Sequence, residues 1–251
     1  MTTTSRLPNY SLIKELAEKV LLSIKEPVLP IKLKPLINEL TNKDLVVHTF
    51  SQYTEIENRD YNEFIKEAPS KDGTLRYLPD DNYYVLLYNK NIQRDRKTWT
   101  LAHELGHYYA KHHLELLAYQ KANEAKEIPP ELNRVFEKEA NFFAKEILAP
   151  PALILMVLVS LRTTDFVSIY TVLRSLFRLS REASYYIAKD ITKFKYLQFS
   201  PQLYLKYKST LDHSLKIFLG YNTFYALFKK YRHEIDFRDQ RQRMIINRID
   251  F

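Results

Sequence analysis

The residues of this chain best suited to chemistry are two histidines four positions apart with a glutamate after the first: His103-Glu104-Leu105-Gly106-His107. On a helix advancing ~100° per residue, positions 103 and 107 project ~40° apart, so both imidazoles can reach one ion with Glu104 beside them. Neutral imidazole suits zinc, and a catalytic zinc keeps three protein ligands and one open position for water. Such an ion lowers the water's pKa, and a neighbouring carboxylate can take the proton. These are the parts used in metal-assisted peptide hydrolysis. The same five letters can arise on a solvated helix face. Here Trp99, Leu101, Ala102 and Leu105 make the segment largely apolar, which places the histidines near a core, where buried polar groups need partners.

The third ligand must come from elsewhere, and Glu137, Glu139 and His113 compete for the role. On a helix through residues 131–148, the apolar residues Phe136, Ala140, Phe143 and Ile147 cluster near ~110° from Val135 at ~100° per residue. Glu139 falls at ~40° on the shoulder of that face and Glu137 at ~200° on its far edge, so the two cannot both face one ion. Glu139 is favoured, because a ligand must point towards the packed motif helix. His113 would complete an H-E-x-x-H spacing with a further histidine six positions on, but it lies ~240° round from His107 on a straight helix. It could ligate only after a sharp turn near residue 110, where the chain has alanine and no glycine. His112 is expected at the surface, and His48 at the surface or hydrogen-bonded rather than as a ligand.

Several elements must position these residues. Leu12, Ile13, Leu16, Val20, Leu21 and Ile24 are spaced for an amphipathic helix over 10–25, stopped by Pro27 and Pro30. A short helix is expected over 34–40, then strands over 45–50, 74–78 and 83–88. The motif helix should begin between Asn91 and Lys97. A polar stretch over 120–130 leads to Pro129-Pro130-Glu131, a helix start, and that helix ends near Leu148. The expected class is α+β: mostly helical, with a small antiparallel sheet of about three strands and a helical C-terminal region. The expected divisions are residues 1–160, 161–195 and 196–251.

Composition narrows the chemistry further. The chain has 251 residues, enough for one large domain or two small ones, only 3 glycines, and no cysteine. Thiolate zinc sites and disulfides are therefore excluded, and any zinc rests on histidine and carboxylate. The polar segment 1–9 predicts no secretory signal, and the apolar run Ala152–Leu161 is about half a membrane span. A cytoplasmic, non-membrane protein is expected. The net charge of +8 favours acidic partners in a general way, but it is spread along the chain.

Together these stretches resemble the ImmA/IrrE family of zinc metallopeptidases. The resemblance is carried by Arg94-x-Arg96-Lys97-Thr98-Trp99-Thr100-Leu101-Ala102-His103-Glu104-Leu105-Gly106-His107-Tyr108, then Glu139-Ala140-Asn141-Phe142-Phe143-Ala144, then Ile147-Leu148-Ala149-Pro150. Trp99 stands where the family usually has phenylalanine, and Ala149 where it often has methionine. The resemblance implies a zincin-like domain with His103, His107 and Glu139 as zinc ligands and Glu104 as the base. It also implies a substrate class: helix-turn-helix transcriptional repressors, often those silencing a mobile element, whose cleavage relieves repression.

Beyond residue 151 the resemblance thins. Residues 166–190 resemble a helix-turn-helix remnant, two helices about Leu179-Ser180 with Ser180 as the second cap. Packing behind the active site is preferred to DNA recognition, because Tyr185, Tyr186 and Ile187 are not a run of base-reading side chains. The aromatics of 196–251 (Tyr204, Tyr207, Phe218, Tyr221, Phe224, Tyr225, Phe228, Tyr231) are read as core rather than as a stacking platform for nucleic acid, and Arg238–Arg248 as a loose charged end. The competing function is a DNA- or protein-binding regulator with a vestigial or structural metal site. Glu104 argues against it, since a structural site needs ligands but no base. Tyr108, Tyr109, Arg94 and Arg96 are open candidates for stabilising an oxyanion.

Overall fold

The computed structural model describes residues 6–41, 43–123, 129–193, 199–220 and 223–246, with side chains described as far as 239. Part of the polar stretch over 120–130, Tyr221, and the side chains of 240–248 lie outside the described residues. The chain divides into two compact units, residues 1–25 with 32–148, and residues 26–31 with 149–251. This differs from the expected divisions at 160 and 195.

In the first unit, α1 (Tyr10–Ser23) opens on Asn9, whose side chain accepts from the Leu12 amide at 3.1 Å. Ile13, Ala17, Val20 and Leu21 form its buried stripe. The helix α2 (Leu33–Thr41), strand β1 (Leu45–Thr49), and helices α3 (Phe50–Ile56) and α4 (Tyr61–Glu67) follow, then strands β2 (Gly73–Leu78) and β3 (Tyr83–Tyr88). Thr49 and Gln52 close a reciprocal capping box on α3. The strand order is β1-β3-β2.

All three expected strands are present, but the sheet is mixed rather than antiparallel. β2 and β3 form a hairpin, Gly73 opposite Tyr88, whereas β1 runs parallel to β3, Leu45 opposite Tyr84. A parallel pair needs a long crossover, and α3, α4 and β2 together supply it. Successive β3 side chains serve opposite faces. Leu87 and Val85 pack with Phe50 and Phe64, while Tyr84 meets Tyr108 edge-on at 4.8 Å on the other side. The sheet is therefore covered on both faces.

The motif helix is α5 (Arg94–Tyr109), with α6 (His112–Asn123) beyond a sharp turn and α7 (Pro130–Leu148) completing the unit. α7 packs against both α1 and α5. The crossing with α5 is set by Gly106: a Cβ there would stand 2.9 Å from Ala140 Cα, 3.0 Å from Ala140 O and 3.1 Å from Phe143 Cβ. Gly73 has the same role against the sheet, where a Cβ would meet Thr100 Cγ2 at 2.5 Å. Among the residues facing α1 from α7, Glu146 is buried. Burial raises its pKa to about 7, against the lowering effect of Lys145 and Lys14, and Glu18 adds to the rise.

The second unit is helical. α8 (Pro151–Leu161) is buried through Ala152, Leu153, Ile154, Val157 and Leu158 and packs on α9 (Phe166–Ser175) and α11 (Pro201–Leu219), so it belongs here and not to the motif-bearing unit. Ser180 caps α10 (Arg181–Ile191) by accepting from the Ala183 amide at 3.2 Å. Glu234 on α12 (Thr223–Ile246) takes the Tyr170 hydroxyl and lies 3.0 Å from Arg181 Nε. Thr210 donates to the Pro27 carbonyl at 2.8 Å, tying 26–31 into this unit. Tyr207, Phe218 and Tyr231 are buried, as a core role requires, whereas Tyr225 is 61% exposed. Among the described residues, no single helix is long and apolar enough to cross a membrane.

Two stability predictions follow from the first unit. Overpacking costs about 1–3 kcal/mol, against roughly 1 kcal/mol gained when alanine replaces a helical glycine. Gly106→Ala should therefore lower the thermal midpoint. Gly220→Ala, with nothing within 4 Å of the new Cβ, should leave it unchanged. For Glu146 the folded pKa lies above the unfolded one, so its protonated form is favoured by folding. Stability is fullest below the unfolded value of 4.5 and falls as pH rises to about 7, by about 3 kcal/mol in total. Urea titrations at pH 5 and pH 8 should show Glu146→Gln more stable than wild type at pH 8, with the advantage shrinking at pH 5.

Candidate metal centre

The helix α5 brings His103 and His107 to one face, one turn before and directly after Gly106 at the α7 crossing. Their Nε2 atoms are 3.1 Å apart. On α7, the carboxylate that faces them belongs to Glu137. Its Oε2 lies 3.4 Å from His103 Nε2 and its Oε1 lies 3.5 Å from His107 Nε2. One donor atom from each of the three residues falls within 4.8 Å of the other two. Four residues along the same stripe of α7, Asn141 Oδ1 accepts from His103 Nδ1–H at 3.1 Å, which orients the ring with its Nε2 towards the shared space.

The expectation that Glu139 faces this space is not met. Glu139 is buried, its carboxylate turned to the start of α1, where it accepts from the Asn9 amide at 2.6 Å and from Arg6 Nη2 at 3.1 and 3.2 Å. His112 Nε2 meets its Oε2 at 2.9 Å. The wheel misled because α7 serves two partners. Its apolar face is shared between α1 and α5, so the shoulder that carries Glu139 looks towards α1, and the edge that carries Glu137 looks across Gly106 to the histidines. A signal was present: Glu137 and Asn141 are four apart, as are His103 and His107, and each pair brackets a small residue, Ala140 or Gly106.

His112 is also placed differently from expectation. It is buried, not at the surface, stacks on Phe136 at 4.5 Å, and its Nδ1 meets His107 Nδ1 at 2.9 Å. The sharp turn after α5 does occur, without glycine: Lys111 takes a φ of 57°, a left-handed conformation costing about 1–2 kcal/mol. The turn returns His112 to the histidine pair and sends His113 away, to the Tyr84 hydroxyl and the Tyr77 ring. Tyr108 gives its hydroxyl to Asp44 at 2.6 Å, Tyr109 stacks on Phe143, and Arg96 pairs with Asp72 at 2.6 Å.

Electrostatics suit the histidines to hold a cation. Burial, with the neighbouring His103 and His112 rings, pushes His107 down to about 3, so it is neutral throughout the neutral range. For His103 burial lowers the pKa, but the Glu137 hydrogen bond and the charges of Glu104 and Glu137 outweigh it and the net shift is upward. The His103 bond holds Glu137 below the usual carboxylate range despite its partial burial. Glu104 is buried and rises to about 7, chiefly by desolvation. His103 opposes that rise, Glu137 adds to it, and a hydrogen bond from the Leu75 N–H opposes it. Two imidazole nitrogens and a carboxylate oxygen converging on one space match the donor set of an open three-ligand zinc site, and the residues fit that ion.

No curated protein matches the chain. Residues 58–188 match the family model described as the IrrE N-terminal-like domain, peptidase M78. The matched span contains α5, α6 and α7 and the whole candidate centre, and it covers more than half of the 251 residues. The chain belongs to the peptidase M78 family of IrrE N-terminal-like domains.

Proposed function

We propose that this chain is a zinc-dependent endopeptidase with His103, His107 and Glu137 as its ligands and Glu104 as its general base. The observation that carries the reading is the convergence of His103 Nε2, His107 Nε2 and the Glu137 carboxylate on one space, with a buried Glu104 beside them. A bound zinc supplies Lewis acidity, lowering the pKa of water and polarising a carbonyl. Glu104, with a pKa of about 7, is matched to accept a proton near neutral pH and return it to a leaving amine. The Leu75 N–H holds that carboxylate in place. β2 is an edge strand of the sheet and packs on α5, so an extended peptide segment can pair with it by strand addition.

The substrate is proposed from the family resemblance: a helix-turn-helix transcriptional repressor, cut in the cytoplasm to relieve repression of a mobile-element or stress regulon. Co-expression with such repressors from the same genome, read by immunoblot and intact mass, tests it. Glu104→Gln should reduce cleavage about 10²- to 10⁴-fold while the protein still binds zinc. In metal analysis of purified protein, Glu137→Ala should lose the ion that wild type carries. Cleavage undiminished in Glu104→Gln would sink the mechanism, and zinc fully retained in Glu137→Ala would sink the ligand assignment.

A further inference from the structure

The buried dyad of Glu139 and His112 lies outside the ligand set, and its hydrogen bonds form one continuous line. It runs from Arg6 and the Asn9 amide to the Glu139 carboxylate, from there to His112 Nε2, and from His112 Nδ1 to His107 Nδ1. A carboxylate only accepts, so His112 must carry its proton on Nε2. In the neutral ring its Nδ1 is then an acceptor, and the 2.9 Å contact requires His107 to donate from Nδ1. That leaves the His107 Nε2 lone pair bare and aimed at Glu137 and His103. The opposite arrangement, with His112 donating to His107, would put the His107 proton on Nε2, in the space a metal would fill.

We propose that His112 and Glu139 are positioning residues that lock His107 in its Nδ1–H tautomer, with Arg6 and the amide of Asn9 holding the Glu139 carboxylate as the fixed end of the line. The carboxylate sits at the first turn of α1, where free amides and the helix dipole favour a negative charge. With Arg6 alongside, the buried charge is paired and hydrogen-bonded, the condition under which such a charge is tolerated. A segment at the start of the chain thus helps set the protonation pattern of a ligand on α5. This rests on His107 being a ligand, but the tautomer itself can be read with no metal present.

The test uses the full chain labelled with ¹⁵N-histidine. Long-range proton–nitrogen spectra of the metal-free protein report which His107 nitrogen carries the proton, and chelator competition measures affinity for zinc ion alone. Wild type should show the Nδ1–H tautomer. His112→Phe keeps the stack on Phe136 but removes the acceptor. It should shift the His107 tautomer and weaken zinc binding about 10- to 100-fold, and, by taking one partner from the buried Glu139, lower the melting temperature of the metal-free protein. His112→Asn, whose amide oxygen can take the place of Nδ1, should recover most of that affinity. An Nε2–H tautomer in wild type would overturn the proposal. So would a His112→Phe protein with tautomer and affinity unchanged, or equal losses in His112→Phe and His112→Asn with the tautomer unmoved. If wild type bound no zinc, the metal-centre reading would fail, while the tautomer spectra would still decide the relay.

Discussion

The close crossing of α5 and α7 at Gly106 is the constraint on which the site depends. A side chain as small as a methyl at 106 would stand 2.9 Å from Ala140 Cα, so the two helices approach backbone to backbone. Beside that point and one turn before it the side chains meet: His107 and His103 on α5, Asn141 and Glu137 on α7. Glycine within a helix disfavours it by about 1 kcal/mol relative to alanine. Here that cost is offset by apolar contact along the crossing, where Leu105, Phe143, Ala144 and Ile147 are buried. Gly73 holds β2 against α5 in the same manner, and so keeps the Leu75 amide within reach of Glu104.

Two glutamates two residues apart on α7 have opposite surroundings and therefore different roles. Glu137 is partly exposed, and its nearest partners are imidazoles, a group open enough to exchange partners. Glu139 is buried, bound by Arg6, by a backbone amide and by His112, and these bonds hold it ionised against desolvation. Removing a partner from such a buried charge is costly, which makes it a fixed anchor. The approach of α1 to α7, seen again in Tyr10 against Phe142 at 4.9 Å, brings those anchoring groups from the start of the chain.

Much of this architecture is written in the residue pattern. Helical periodicity located α1 and α7, turn and cap residues located the start of α10 at Ser180, and the five-residue motif marked the α5 face. What was not legible was orientation. A hydrophobic wheel reports where a core lies, and α7 has a core on two sides, so the wheel gave Glu139 to the wrong neighbour. His112 was missed for a related reason. The left-handed turn at Lys111 is neither a glycine nor an asparagine, and without it no spacing rule returns residue 112 to residue 107. The parallel β1–β3 pairing was hidden because strand propensity has no direction.

The chemistry of the site turns on which carboxylate faces the histidines. The most direct measurement is a crystal structure of zinc-loaded protein with an anomalous difference map at the zinc edge. The predicted result is one peak bonded to His103 Nε2, His107 Nε2 and a Glu137 oxygen, with Glu139 still held by Arg6, Asn9 and His112. A peak on Glu139, or none between the two histidines, would contradict it.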